Sequence, residues 1–292
     1  MPRANLLLLL TAVIWGFAFV AQRVGMEHVG PFLFNAIRFA LGGVFLLVVL
    51  WIQGPTKVEA NGSYRLFSGG LIAGCFLFCG ASLQQVGIVY TTAGKAGFIT
   101  GLYVILVPLV GIFMGQRTDR NTWLGAILAA IGLYFLSVTE ALTIQRGDFL
   151  ELVGALFWAA HVHIVGWYAK RTANLPFSII QFFVCSVFSF CVALGFEQNS
   201  FEGIVQATVP ILYGGVFSVG VGYTLQVIGQ KNAHPSHAAI ILSLEAVFAA
   251  IGGMMLLSET LTGRSLLGCL LMLSGMIFSQ IPSERACESS PT

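Results

Sequence analysis

Ten apolar runs account for most of this chain, at roughly residues 5–22, 32–52, 66–89, 93–115, 123–138, 150–169, 178–196, 210–229, 236–257 and 263–281. Most come close to the span of about 20 residues that an α-helix needs to cross a bilayer. Charged residues make up 9% of the chain and hydrophobic residues 57%, whereas a soluble domain carries about a quarter charged residues. The longest polar stretch, about 53–65, has room for a loop with some helix but no core. The pattern predicts an all-α integral membrane protein with ten transmembrane helices.

The chain also repeats itself at a shift of 143 residues. Trp15 falls on Trp158, Ala12 on Ala155, Phe39 on Phe182, Ala96 on Ala239 and Val104 on Val247. Gly125 falls on Gly268 and Gly132 on Gly275, and at a shift of 142 Gly80, Leu83, Gln84 and Gly87 meet Gly222, Leu225, Gln226 and Gly229. Matches spread over both halves at nearly one offset predict a duplicated unit, with boundaries at 1–143 and at 144–292, the second carrying a short C-terminal tail. The repeat also argues that the first run is a helix and not a cleaved signal, because Leu6–Val20 has an internal counterpart in Phe149–His163.

Charge sets the expected topology. With a cytoplasmic N-terminus, the inner segments hold Arg3, Lys57, Arg65, Arg117, Arg120, Lys170, Arg171, Lys231 and Arg285, and the outer ones hold Arg23, Arg146 and Arg264. The excess of inner cations predicts that both termini are cytoplasmic in a multi-pass protein of the cytoplasmic (inner) membrane. Five helices per unit is an odd number, so the second unit enters the membrane upside down. Inverted repeats of this kind supply two equivalent packings, one open to each side. A net charge of +2 without a basic stripe argues against a nucleic-acid partner. The six cysteines form neither a disulfide framework nor a zinc signature; Cys75 and Cys79, on one helical face, are apolar filler or a redox or metal pair. A monomer and a homodimer both remain open.

Several stretches resemble the EamA family of the drug/metabolite transporter superfamily. They are Ala12-Val-Ile-Trp15-Gly16-Phe-Ala-Phe-Val20, Asn35-Ala-Ile-Arg38-Phe39, Tyr90-Thr-Thr-Ala-Gly94-Lys95-Ala-Gly97-Phe, Gly147-Asp148-Phe with Gly154-Ala-Leu-Phe-Trp158-Ala, and Leu242-Ser-Leu-Glu245-Ala246 followed by Leu256-Leu-Ser-Glu259-Thr-Leu. The resemblance spans about residues 5 to 281. It implies a secondary transporter with no cofactor, its cavity lined mainly by helices one, three, four, six, eight and nine, with five and ten peripheral. Two departures shift the expected hinges: Ala246 stands where the family has proline, and Tyr103 replaces another proline, with Pro108 five residues later. No Gly-x-x-x-x-Gly-Lys-Ser/Thr phosphate loop is present.

Ionisable groups inside the membrane are costly, about 2.5–3.5 kcal/mol at a helix centre, and each needs a reason. Glu245 sits near the middle of the ninth run, where it is a proton or substrate-amine site or else a structural carboxyl bonded to a neighbouring helix. Arg38, about seven residues into the second helix, reads as a structural pair with a carboxylate or as a substrate contact. Lys95 either snorkels to the surface or, beside Gly94, Gly97 and Gly101, faces the cavity. His161, three residues from Trp158, is a better cavity candidate than His163, which points about 200° away; a core histidine bonded to a carbonyl is its other reading. Trp15 and Trp158 are mates at mid-helix and suit facing walls of an apolar or cation-accepting pocket. Gln84 and Gln226, also mates, line the cavity or glue the repeats, and Tyr103 and Ser243 add hydroxyls at mid-depth. No hydrolytic motif appears, so no enzyme is expected.

The reading that follows is a transporter carrying a small organic metabolite, such as an amino acid, amine or related amphipathic solute, by alternating access, outward and with protons as a candidate partner. A lipid-carrier flippase and a non-transporting assembly or sensor protein are the alternatives.

Overall fold

The computed structural model describes residues 3–54, 60–90, 97, 99–137, 146–198, 200–257 and 261–281. Among them the chain is helical, with no strand. The helices are α1 (Arg3–Gly25), α2 (Pro31–Gln53), α3 (Ala60–Tyr90), α4 (Tyr103–Phe113), α5 (Arg120–Ser137), α6 (Arg146–Tyr168) and α7 (Asn174–Phe196). The short α8 (Phe201–Gln206) precedes α9 (Thr208–Gln230), and α10 (Pro235–Leu242), α11 (Glu245–Leu257) and α12 (Gly263–Ser279) complete the fold. Seven stretches are long and apolar enough to cross a membrane, with α10 and α11 together forming one of them; Ile99–Phe113, Arg120–Leu136 and Gly263–Ser279 are apolar but shorter. The protein is a multi-pass membrane protein. The polar stretch about 53–65 becomes the start of α3 from Ala60 onward.

Local chemistry places the helix ends. Pro31 and Pro235 occupy first-turn positions, where a missing N–H costs nothing. The first turn of α2 is capped from a distance: the Phe32 and Leu33 N–H groups donate to the two Glu197 carboxylate oxygens at 2.8 and 2.9 Å. A carboxylate there satisfies orphan donors and the positive end of the helix dipole. Ser200 and Thr262 cap α8 and α12 through their hydroxyl oxygens.

The halves pack reciprocally. In α5 and α12, a methyl group added to Gly125 would sit 2.5 Å from the Gly275 carbonyl oxygen, and one on Gly132 would sit 2.6 Å from that of Gly268. The early residue of one helix meets the late residue of the other, so these two helices run antiparallel. Exchanging each glycine for its sequence mate maps one contact onto the other. The same exchange relates Trp158 on Gly80 to Trp15 on Gly222, and Glu151 on Gly87 to Leu8 on Gly229. Phe39 and Phe182, mates of one another, touch at 6.2 Å between ring centroids. Helix pairings follow suit: α1 packs on α9 and α11 as α6 packs on α3 and α4.

Candidate functional site

Two helices are interrupted at matching places. A turn at Leu102 precedes α4, which begins at Tyr103, and a turn at Ser243–Leu244 separates α10 from α11, which begins at Glu245. The ninth run therefore breaks without a proline, where Ala246 predicts a weaker hinge. Ser243 contributes to that break locally, its hydroxyl donating to the Ile240 carbonyl at 2.9 Å. The breaks bring their first helical residues together, and the Tyr103 hydroxyl donates to Glu245 Oε1 at 3.1 Å.

Above this contact lies a cavity of about 510 Å³, its open mouth included. Its wall takes Trp15, Ala18, Phe19 and Gln22 from α1, Arg38 from α2, Gln84 from α3, Thr100 and Tyr103 from the fourth run, Trp158 and Val162 from α6, Ser218, Tyr223 and Gln226 from α9, and Leu242 and Glu245 from the ninth run. Helices α5 and α12 contribute nothing. Arg38 adds the second helix to the six lining helices expected from sequence.

The middle of α9, Tyr213–Tyr223, is a π-helix. Its wider turn suits a glycine-rich stretch (Gly214, Gly215, Gly220, Gly222) and leaves carbonyls available to other helices. Trp15 Nε1 donates to the Ser218 carbonyl at 3.1 Å and the Thr11 hydroxyl to that of Gly222 at 3.2 Å. Tyr223, at the end of the π segment, stands between the two tryptophans, 4.5 Å from the Trp15 ring and 6.3 Å from that of Trp158. Trp15 and Trp158 are thus walls of one aromatic site, with Tyr223 between them.

Of the residues singled out from sequence, Trp15, Gln84, Tyr103, Trp158, Gln226, Arg38 and Glu245 reach the cavity wall. His161 does not. It is buried beside Trp158, edge-on to that ring at 6.0 Å, and its Nε2 is held 3.0 Å from Gln181 Oε1 of α7, a contact that keeps the ring off the cavity wall. Ser243 is likewise off the wall, spent on its own helix. Lys95 lies outside the described residues. Arg38 and Glu245 do not pair with each other: Glu245 is engaged by Tyr103, and Arg38 Nε donates to Asn35 Oδ1 at 2.9 Å.

Sequence reasoning missed Tyr223, Thr100, Gln22 and Ser218 on the wall, and Glu151 behind it. Glu151 is 0% exposed, and Oε2 accepts a 2.7 Å hydrogen bond from the Thr100 hydroxyl while Oε1 has no partner. A signal for it existed, since Glu151 is a carboxyl at the mate position of Leu8.

Polar contacts cluster at the end of the molecule where α1 begins and α12 ends. Asn5 and Gln280 bond there at 2.6 Å. His163 Nε2 lies 2.8 Å from the Val107 carbonyl and Nδ1 lies 3.4 Å from Gln116 Nε2, joining α6 to α4 and the segment after it. His237 Nε2 lies 2.6 Å from the Thr122 hydroxyl and 3.7 Å from Asp119 Oδ2, and Thr118 meets Ser236 at 3.4 Å. These contacts join residues 107–122 to the second half. Burial pushes the Asp119 carboxyl up, but the Thr122 backbone N–H and hydroxyl, with His237, outweigh it and hold Asp119 below its ordinary value.

A model of the EamA-like transporter family matches residues 2–138 and again 145–280. The chain belongs to the EamA-like transporter family. The model of this EamA-like transporter family thus matches once in each half of the chain. An uncharacterized transporter of Archaeoglobus fulgidus is 33% identical over 275 residues, covering 94% of this chain and 84% of the relative. The uncharacterized transporter YoaV of Bacillus subtilis is 25% identical, covering 98% and 99%. A solved crystal structure superposes with a TM-score of 0.81 at 16% identity over 95% of this chain and 96% of its own, a likeness of fold.

Proposed function

We propose that this EamA-like chain is a secondary transporter that moves a small organic metabolite, an amino acid, amine or related amphipathic solute, across the cytoplasmic membrane by alternating access, in the outward direction. In this reading ten membrane-crossing helices form two inverted five-helix repeats, with both termini cytoplasmic. One observation carries it: a cavity is lined by both halves, and bonds between the halves hold the side of the termini, which we read as the closed end. The reciprocal glycine contacts support the inverted arrangement, because each has its counterpart when mates are exchanged. Opening the closed end while closing the other is the exchange of packings that inverted repeats permit. The cavity also weighs against the non-transporting alternative, which calls for an apolar, plugged centre.

Glu245, at the meeting of the two helix breaks, is the residue we assign to proton coupling. Full-length protein in proteoliposomes, offered labelled amino acids and their amines with and without a pH gradient, tests both claims. Saturable uptake that rises with the gradient is expected, along with thiol-reagent access at Gln84→Cys and Gln226→Cys that changes when substrate is added. Gradient-dependent uptake unchanged in Glu245→Gln refutes coupling at that residue. Absence of uptake for every solute, with no substrate-dependent change in access, refutes transport.

A further inference from the structure

We infer that Arg38 forms an anion subsite in the cavity wall and that the solute taken there carries a carboxylate. Arg38 is 2% exposed and lines the cavity, yet among the described residues no carboxylate lies within ion-pair distance of it. Its Nε is committed to Asn35 Oδ1, and the Asn35 amide is itself fixed by donating to the Ala81 carbonyl of α3 at 3.2 Å. The Phe39 and Phe34 rings lie 4.9 and 5.6 Å from the guanidinium carbon. Cation–π contact offsets part of the cost of burying the charge but fills none of its donor positions. Nε makes the one bond of this guanidinium found among the described residues, and the two terminal nitrogens, Nη1 and Nη2, have no partner among them. They are a preorganised fork of donors, the geometry that takes a carboxylate in two parallel hydrogen bonds.

The duplicated architecture supplies a control for the structural alternative. The mate of Arg38 is Gln181, a neutral side chain whose amide oxygen is occupied by His161. The repeat therefore packs at this position without a cation, and the charge in the first half answers to something other than the fold. Across the cavity the Glu245 carboxyl supplies an opposite pole, with the Tyr223, Trp15 and Trp158 rings on the wall around them. A zwitterion matches both poles and a simple carboxylic acid matches one; the carboxylate is common to the two.

The subsite rests on the transport reading only in calling its ligand the cargo, and binding tests it separately. Purified full-length protein is titrated with two matched sets, phenylalanine, 3-phenylpropanoate and phenethylamine, and leucine, 4-methylpentanoate and 3-methylbutylamine, with tryptophan fluorescence as readout. In at least one set, carboxylate-bearing members should bind at least about tenfold more tightly than the amine, a difference of about 1.4 kcal/mol. Arg38→Gln should erase that preference, and Arg38→Lys should restore part of it. Amines binding as well as the carboxylates, no carboxylate binding at all, or a preference unchanged in Arg38→Gln would overturn the inference. Should Arg38→Gln fail to fold, the wild-type comparison and Arg38→Lys still decide. Tighter binding of the amino acid than of the acid identifies a zwitterion, and equal binding a simple acid. A protein that binds carboxylates but moves no solute in proteoliposomes keeps this subsite and refutes transport, while one that binds and moves only amines does the reverse.

Discussion

Substituting alanine at the paired glycines of α5 and α12 should destabilise the protein without touching the cavity. A methyl at Gly125 would sit 2.5 Å from the Gly275 carbonyl oxygen and 2.8 Å from Ser279 Cβ, and one at Gly268 would sit 2.5 Å from both the Gly132 oxygen and the Leu136 nitrogen. These obstacles include backbone, so rotamer changes give no relief and the helices must separate by roughly an ångström. Overpacking of this kind costs about 1–3 kcal/mol. Intrinsic helix propensity acts the other way, favouring alanine over glycine by about 0.5–1 kcal/mol. The net expectation is a loss of about 1–2 kcal/mol for Gly125→Ala and a similar loss for its mate Gly268→Ala. Gly195→Ala in α7, where nothing lies within 4 Å of an added methyl, isolates the propensity effect and should be neutral or stabilising. Reversible unfolding in mixed detergent, followed by helix content, measures the difference. Ligand binding should survive in all three variants, because neither α5 nor α12 reaches the cavity wall. If Gly125→Ala and Gly268→Ala are as stable as Gly195→Ala, the close antiparallel contact is wrong. If only one of them is destabilised, the reciprocity of the halves is wrong.

Four further outcomes are expected. Tyr103→Phe removes the hydroxyl that donates to Glu245; it should cost about 1–3 kcal/mol for the buried acceptor left behind and alter the pH profile of transport, and a profile identical to wild type would disprove the partnership. His237→Ala combined with Thr118→Val removes two contacts that close the end bearing the termini. At about 1 kcal/mol per bond the balance shifts toward opening there by roughly thirtyfold, measured as faster labelling of Gln226→Cys from that side. Asp119 gives the same closure a pH dependence. Its carboxyl is held below its ordinary value, so its contribution is complete above the ordinary carboxylate pKa of about 3.9 and is lost as pH falls below that; labelling should accelerate in acid, and Asp119→Asn should abolish the acceleration. Glu151→Leu places the mate residue of the other half in a fully buried site. The change removes the cost of burying a carboxyl and leaves the Thr100 hydroxyl without its acceptor, a loss of about 1–3 kcal/mol; the two oppose each other, so unfolding should shift little, and a marked loss would show that the Thr100 contact holds the fold together.

Particular residues show where sequence reading reached its limit. Trp15 and Trp158 were legible because they are apolar residues at mid-helix that repeat at the 143-residue shift. Gln84, Gln226, Arg38 and Glu245 were legible because polar groups in long apolar runs need partners or water. His161 satisfied the same criterion and still faces α7, since which side of a helix meets the cavity depends on neighbours outside that helix. Tyr223 looked like one apolar aromatic among many. Its place between the tryptophans follows from the π-helical turn of α9, which shifts the register of every residue after it. Glu151 could have been found by a feature it shares with Arg38 and Glu245, an ionisable residue whose mate is uncharged.

The sequence by itself determined that this chain is an all-helical membrane protein with residues that recur at a shift of 143, because hydropathy, run length and recurrence are properties of the chain in order. Tertiary structure decided which polar side chains share a cavity, which are sealed behind it, and which end is shut. Those outcomes depend on helix rotation, on two turns at Leu102 and Ser243–Leu244, and on glycines that let backbones approach. Each is set by contacts between residues far apart in the chain, so no local pattern encodes it.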